Sequence, residues 1–303
     1  MTRVLVTGAG GFVGRHVMAA LASAGRDVHA VASTAQRHDG GDVTWHEADL
    51  LNAVQRETLV AAVRADALVH LAWCARPPDY WRHPDNLRWL TASLELVRVF
   101  AEQGGTRVVG AGTCAEYDWR SGYCTEETTP LVPATLYGTA KAACGSALNA
   151  YGLETGLSVA WGRLFFLFGP HDSPARLIPS LVTALHAGEP ARCAAGSHVR
   201  DFLHVADAAA ALVALLDSQI TGPVNIASGI PVRVGDLARG VASRVGRPDL
   251  LSVEEGSPTD AMVAANISRL RDGVGWRPSL DAAAALDDTV RWWRSAEAAQ
   301  VST

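Results

Sequence analysis

The sequence predicts a doubly wound α/β protein, a parallel Rossmann-type sheet with helices on both faces and a smaller, interleaved C-terminal substrate-binding region. Three features lead there. Short apolar runs alternate with helix-length segments, a glycine-rich loop follows the first run at once, and Gly and Pro begin to punctuate the chain after about residue 168.

The first run, RVLVT at residues 3–7, is short and apolar and meets glycines directly, so it reads as a strand. GRHVMAALASAG then places apolar residues at helical spacing and closes on Gly, a helix stop. DVHAVA (27–32) is the second strand and LLNAVQRETLVAAVRA the next helix. ALVHLAW (67–73), the helical NLRWLTASLELVRVFAEQGG, RVVGAGT (107–113) and LSVAWGRLFF (157–166) continue the alternation. Beyond 168, FGPHDSPARLIPS, AGEPARCAAGS and EEGSPTD break any period, and strands are hard to place there. HVADAAAALVALLDS and GPVNIAS (204–228) return one helix and one strand to the large sheet. LDAAAALDDTVRWWRSAE reads as an amphipathic helix with Trp292 and Trp293 at its end. The expected division is 1–168 with 204–228 for the dinucleotide-binding domain, and 169–203 with 229–303 for the substrate region.

Composition narrows the function. The 303 residues are 49% hydrophobic and 19% charged, enough for a sizeable core. A formal charge of −5 without any Lys/Arg run argues against a nucleic-acid or anionic-membrane partner and for a small molecule. Five cysteines form neither a CxxC pair nor an even disulfide framework, which suits a reducing cytoplasm. Ten histidines show no HExxH-like spacing, so no metal is expected. MTRVLVTGAG has no charged region followed by an apolar one, and no run of about 18 apolar residues follows, so a soluble protein is expected.

TGAGGFVG (7–14) spaces Gly8, Gly11 and Gly14 three apart between a strand and a helix that opens with Phe12, Val13 and Arg15. Such glycines let the backbone turn and approach a pyrophosphate, whose charge then lies over the helix N-terminus. The alternative is a tight turn without a ligand. After the second strand, an Asp or Glu would bond the ribose 2′-hydroxyl of NAD. Ala32 and Ser33 stand in that slot, with Arg37 close behind and Arg15 within reach, a set that suits a 2′-phosphate. The cofactor expected is NADP(H), with NAD(H) the alternative and a solvated Arg37 the plainer explanation.

YGTAK puts Tyr137 and Lys141 four positions apart, on one helical face, so the ammonium should lower the phenol's pKa toward a useful range. Such a pair also arises by chance. Here it follows a nucleotide loop and lies one helix beyond Thr113, which ends a strand at the sheet's carboxyl edge, where ligands bind.

Taken in order, TGAGGFVG, HLAW, GTCAEYD, YGTAK, RLFFLFGP and RDFLHVADAA resemble the extended short-chain dehydrogenase/reductases that act on nucleotide sugars, over nearly the whole chain. The resemblance implies Tyr137 as acid/base, Lys141 as the cation that lowers its pKa and binds the nicotinamide ribose, and Thr113, four before Tyr117, as hydrogen-bond partner of the reacting oxygen. It implies Asp49 and Leu50 beside the adenine, and Leu71, Ala72 and Trp73 along the cofactor. A homodimer through helices at 86–103 and 137–152 is expected on the same ground.

Departures from the family patterns sort the reactions. Dehydratases carry Asp-Glu just after the Thr, where Cys114 and Ala115 stand, so dehydration is not expected. Reductases that also epimerise C3 and C5 carry a Cys and a His where Ala115 and Arg176 stand. Two reactions survive: NADPH-dependent 4-reduction of an NDP-4-keto-6-deoxyhexose, and NAD-dependent 4-epimerisation of an NDP-sugar. The missing acid after the second strand favours reduction. Phe166 stands where the family has an Asn near the diphosphate; Arg200, and secondarily Arg176, are the candidates to bind the diphosphate through bidentate guanidinium contacts, the alternative for Arg200 being a turn with Asp201 and no ligand. Most of Trp73, Trp81, Trp119 and Trp161 are expected in the core. A non-catalytic NADP(H) sensor is the alternative from a different class, disfavoured by retention of Thr113, Tyr137 and Lys141.

Overall fold

The computed structural model describes residues 2–34, 43–74, 79–256 and 261–301. The chain begins β1 (Arg3–Thr7), α1 (Phe12–Ser23), β2 (Asp27–Ala32), β3 (Val43–Glu47), α2 (Ala53–Val63), β4 (Ala67–His70), α3 (Asp85–Glu102) and β5 (Arg107–Thr113). It continues through β6 (Tyr123–Cys124), α4 (Leu136–Thr155), β7 (Ser158–Leu164), β8 (Phe166–Phe168), α5 (Leu177–His186), β9 (Ala191–Cys193) and β10 (Val199–His204). It closes with α6 (Val205–Asp217), β11 (Gly222–Ile226), β12 (Pro231–Arg233), α7 (Val234–Val245), β13 (Leu251–Val253), β14 (Met262–Ala265) and α8 (Ala282–Val301).

Seven strands form the large sheet in the order β11-β7-β5-β4-β1-β2-β3, every pairing parallel. Alternation along β1 shows how it is covered. Val4 and Val6 pack with Val17 and Leu21 of α1 and Leu212 of α6, whereas Leu5 faces Val60 of α2, Leu96 and Phe100 of α3 and Leu148 of α4. The fold class read from the sequence is the one observed. β3 is a strand the apolar runs did not announce: VTWHE is polar and only partly buried because it forms the sheet's edge.

A smaller sheet runs β12-β10-β14-β6, with β8 added on β10. Strands β6 and β8 reach it from the first 168 residues, so the two regions are joined beside β5 and β7. Its helices α5, α7 and α8 share a third core with Leu181, Leu185, Val241 and Trp293. Trp292 and Trp293 lie midway along α8 rather than at its end, and Trp293 is buried. Among the described residues no helix is long and apolar enough to cross a membrane.

Candidate active site

A cleft of about 1090 Å³ follows the carboxyl edge of the large sheet and opens toward the small one. Its floor is made by the turns that leave β1, β4, β5 and β7, where the parallel ladder stops and backbone groups face outward.

At one end lies the glycine loop, with Phe12 and Val13 also on the wall. Gly8 has φ +70°, and a Cβ there would meet Ala72 N at 2.8 Å. A Cβ on Gly14 would meet Gly8 O at 2.1 Å, so α1 presses against the loop as only glycine allows. Gly11 precedes α1 without any side-chain cap, leaving first-turn amides for a ligand. The residues fit a dinucleotide pyrophosphate. Ser33, Asp49, Leu50, Leu71, Ala72 and Trp73 line the same half, as expected, and Thr34 joins Ser33. Arg15 is exposed, its Nε donates to Gly10 O at 2.9 Å, and it stands outside the wall. Arg37 lies outside the described residues.

At the centre, the structure brings together Thr113, Tyr137 and Lys141. Thr135 caps α4, accepting from Gly138 N at 3.1 Å, and so sets Tyr137 in the helix's first turn with Lys141 one turn deeper. Lys141 is 4% exposed; its Nζ donates to Ala111 O at 2.7 Å and sits 3.9 Å from the centre of the Trp73 ring. Burial lowers its pKa from 10.5 to about 8. Tyr137 moves the opposite way from the sequence expectation. Burial, then Tyr80, pushes the phenol above the usual tyrosine range, and a hydrogen bond with Thr113 only partly opposes them. The physical reason is that neighbouring groups, Tyr80 among them, crowd the partly buried phenol, while the buried Lys141 directs its ammonium at a carbonyl and an indole.

Toward the small sheet the wall is aromatic. Tyr80 and Trp81 stack on each other at 4.5 Å and stand edge-on to Tyr137 at 5.0 and 5.6 Å. Trp73 Nε1 donates to Asn86 Oδ1, and Asn86 Nδ2 donates to Tyr80 O, which ties that turn to α3. Arg200 lies between Phe166 and Trp119 and donates to His198 Nδ1 at 3.1 Å. Neighbouring Asp201 turns away to accept from Ser228 and Gly229. Arg176 also reaches the cleft, 3.4 Å from Asp172, whose carboxyl burial raises to about 6. The tryptophans correct the sequence reading: Trp73, Trp81 and Trp119 line the cleft, and only Trp161 is core.

A family model described as the NAD dependent epimerase/dehydratase family matches residues 4–227. The chain belongs to this family. It is an NAD(P)-dependent enzyme of the nucleotide-sugar group of extended short-chain dehydrogenase/reductases. UDP-glucuronic acid decarboxylase 1 of Xenopus tropicalis is 27% identical over 305 residues, spanning 96% of this chain and 72% of that protein. The dTDP-4-dehydro-6-deoxy-D-allose reductase of Streptomyces bikiniensis is 26% identical over 334 residues, 96% of each chain. The solved UDP-glucose 4-epimerase of Thermus thermophilus, a complex with NAD, matches with a TM-score of 0.86 at 25% identity, over 97% of this chain and 99% of that one.

Within this family framework, the sequence reading missed Tyr80, Trp89, Phe165, Asp172, His198 and Phe202 as cleft residues. DYW at 79–81 carried a signal, a pair of aromatics in a loop after a strand's carboxyl end. Trp89 and Phe165 lie in segments read only as a helix and a strand, and Asp172, His198 and Phe202 lie beyond residue 168, where the sequence shows no regular period.

Proposed function

We propose that the protein reduces the C4 ketone of a nucleotide-diphosphate 4-keto-6-deoxyhexose with NADPH. The end of β2 carries this proposal: Ala32, Ser33 and Thr34 wall the cleft, and none of the three is acidic. A carboxylate there would repel a 2′-phosphate, whereas hydroxyls accommodate one. Cys114 and Ala115, neither of them an acid or base at this site, support reduction over dehydration. Burial holds the Cys114 thiol far above its ordinary range.

When bound, the dinucleotide supplies the hydride that C4 receives. Tyr137 keeps its proton at neutral pH, as a phenol does at its ordinary value near 10, and burial raises that value further; a reduction needs this neutral phenol. Its Oη gives the proton to the developing alkoxide at O4, and Thr113 Oγ1 shares the charge by hydrogen bonding. The Lys141 ammonium, still protonated below about pH 8, offsets the phenolate left behind until solvent returns a proton. Arg200, with Arg176, binds the diphosphate. Exposed Leu87 on α3 and Leu153 on α4 suit a homodimer, and five unpaired thiols suit a cytoplasmic location.

The experiment is NADPH oxidation with dTDP-4-keto-6-deoxyglucose. The native chain should oxidise one NADPH per ketone, and Tyr137→Phe should lose about 10²–10⁴-fold in kcat while still binding NADPH. Binding without oxidation would make the protein a sensor. The second proposal, an NAD-dependent 4-epimerase, is supported by the likeness to the Thermus thermophilus enzyme; tightly held NAD with interconversion of 4-epimers would replace the reductase assignment.

A further inference from the structure

Glu116 is fully buried, one turn beyond Thr113, and plays no part in the reduction described above. Its Oε1 accepts from Thr113 N at 2.9 Å and from Trp161 Nε1 at 2.9 Å, and its Oε2 accepts from Arg163 Nε at 2.7 Å. Arg163 Nη1 donates to the Tyr117 hydroxyl at 2.9 Å, and that hydroxyl donates to Asn225 Oδ1 at 2.8 Å. Asn225 Nδ2 in turn donates to Cys124 O and Asn266 O, so one connected network runs from the Thr113 amide to the small sheet. The surroundings are shaped to hold it. A Cβ on Gly112 would lie 2.3 Å from Trp161 Nε1 and 2.5 Å from Glu116 Oε1, and one on Gly145 would lie 2.6 Å from the same indole nitrogen.

We propose that Glu116 is a positioning residue for the reaction: its carboxylate, fixed by Arg163 and Trp161, holds the Thr113 backbone so that Thr113 Oγ1 meets the reacting oxygen. The inference rests on the role given to Thr113 above. Thr113 is the last residue of β5 in register with β7, and beyond it the ladder no longer constrains the chain. The capping box formed by Thr113 and Glu116 takes over that constraint, Thr113 Oγ1 accepting from Ala115 N at 3.2 Å while Glu116 receives the Thr113 amide. A buried carboxylate persists only with full hydrogen bonding and a paired cation, and here both are directed at the residue beside the chemistry.

Charge gives a second signature. The groups around Glu116 are Arg163 on β7, Tyr117 and Cys114 in its own turn, and Tyr137, Lys141 and Cys144 on α4. The carboxylate raises Tyr137 and Lys141 and so favours the protonated phenol.

The test compares Glu116→Asp and Glu116→Gln in the full chain, with whichever nucleotide-sugar ketone or 4-epimer pair the native protein turns over. Asp keeps the charge and retreats by one methylene. It should lower kcat about 10²-fold with KM and NADPH affinity little changed, and leave the alkaline limb of the pH profile in place. Gln should lower kcat and also move that limb to lower pH, since a like charge beside the phenol is gone. Folded variants with native kcat would overturn the inference, as would a loss confined to thermal stability. Should neither variant fold, Trp161→Phe removes one donor to the carboxylate without changing charge. A fall of about 10-fold in kcat at constant KM supports the inference, and a native kcat overturns it. A native protein inactive in both reactions sinks the assignment of function, and this inference with it.

Discussion

Replacing Lys141 by Met should remove activity and yet make the folded protein more stable near neutral pH, with the gain reversing in alkali. Lys141 is the only lysine of the chain, buried, and its pKa falls from 10.5 to about 8 because burial penalises the ammonium. The unfolded chain therefore binds this proton at a higher pH than the folded one. Folding stability rises with pH between about 8 and 10.5 and carries the full ionisation penalty below about 8. A shift of about 2.5 pH units corresponds to about 3 kcal/mol. Met removes that penalty but forfeits the hydrogen bond to Ala111 O, about 1 kcal/mol. The expected gain is about 2 kcal/mol at neutral pH, becoming a loss of about 1 kcal/mol above pH 10.5.

Urea unfolding of both proteins across that range reads the difference directly. The single lysine permits a second measurement, since ¹⁵N-lysine labelling gives one ε-nitrogen resonance whose titration should have its midpoint near 8. A Met variant less stable at neutral pH, a difference that does not change with pH, or a titration at the ordinary lysine value would refute the reasoning.

Gly14→Ala should weaken dinucleotide binding and cost about 1–3 kcal/mol of stability, because its Cβ would stand 2.1 Å from Gly8 O; calorimetry and urea unfolding check it, and native affinity would count against the glycine-loop geometry. Ser33→Asp should reverse cofactor preference from NADPH toward NADH, read as the ratio of the two kcat/KM values; an unchanged ratio would remove Ser33 from the 2′-phosphate site. His70, buried between Thr7 Oγ1 at 2.7 Å and Ser93 Oγ at 2.8 Å, has its pKa lowered from 6.5 to about 3 by burial and then by Lys141. The unfolded chain gains that proton below 6.5 and the folded chain does not, so stability is lost as pH falls from 6.5 toward 3. His70→Gln should flatten that loss, up to about 4–5 kcal/mol, and parallel urea midpoints for the two proteins would exclude the assignment.

Much of the site was legible before any coordinates. β1, β2 and β5 coincide with their apolar runs, because a strand covered by helices on both faces is mostly apolar along its middle, with polar residues such as Arg3, Asp27 and Arg107 at its start. β3 was not legible, since an edge strand faces solvent and keeps polar residues such as Thr44 and His46. Trp73, Trp81 and Trp119 were not separable from Trp161, because a tryptophan in a cleft and one in a core look alike in composition. Glu116 stands inside GTCAEYD, but nothing in that segment gave it a role; its meaning comes from Arg163 and Trp161, more than forty residues away.

The parallel sheet, the glycine loop and the placing of Thr113, Tyr137 and Lys141 at one edge are written in the order of the residues, because they depend on local spacing and on the direction in which each strand ends. The electrostatics are not. Whether a phenol is pushed down by a cation or up by lost water depends on which groups from distant segments close over it. In this protein Tyr80 and Trp81 stand edge-on to the phenol, while the Ala111 carbonyl and the Trp73 ring take up the Lys141 ammonium, and the Tyr137 pKa is pushed up rather than down.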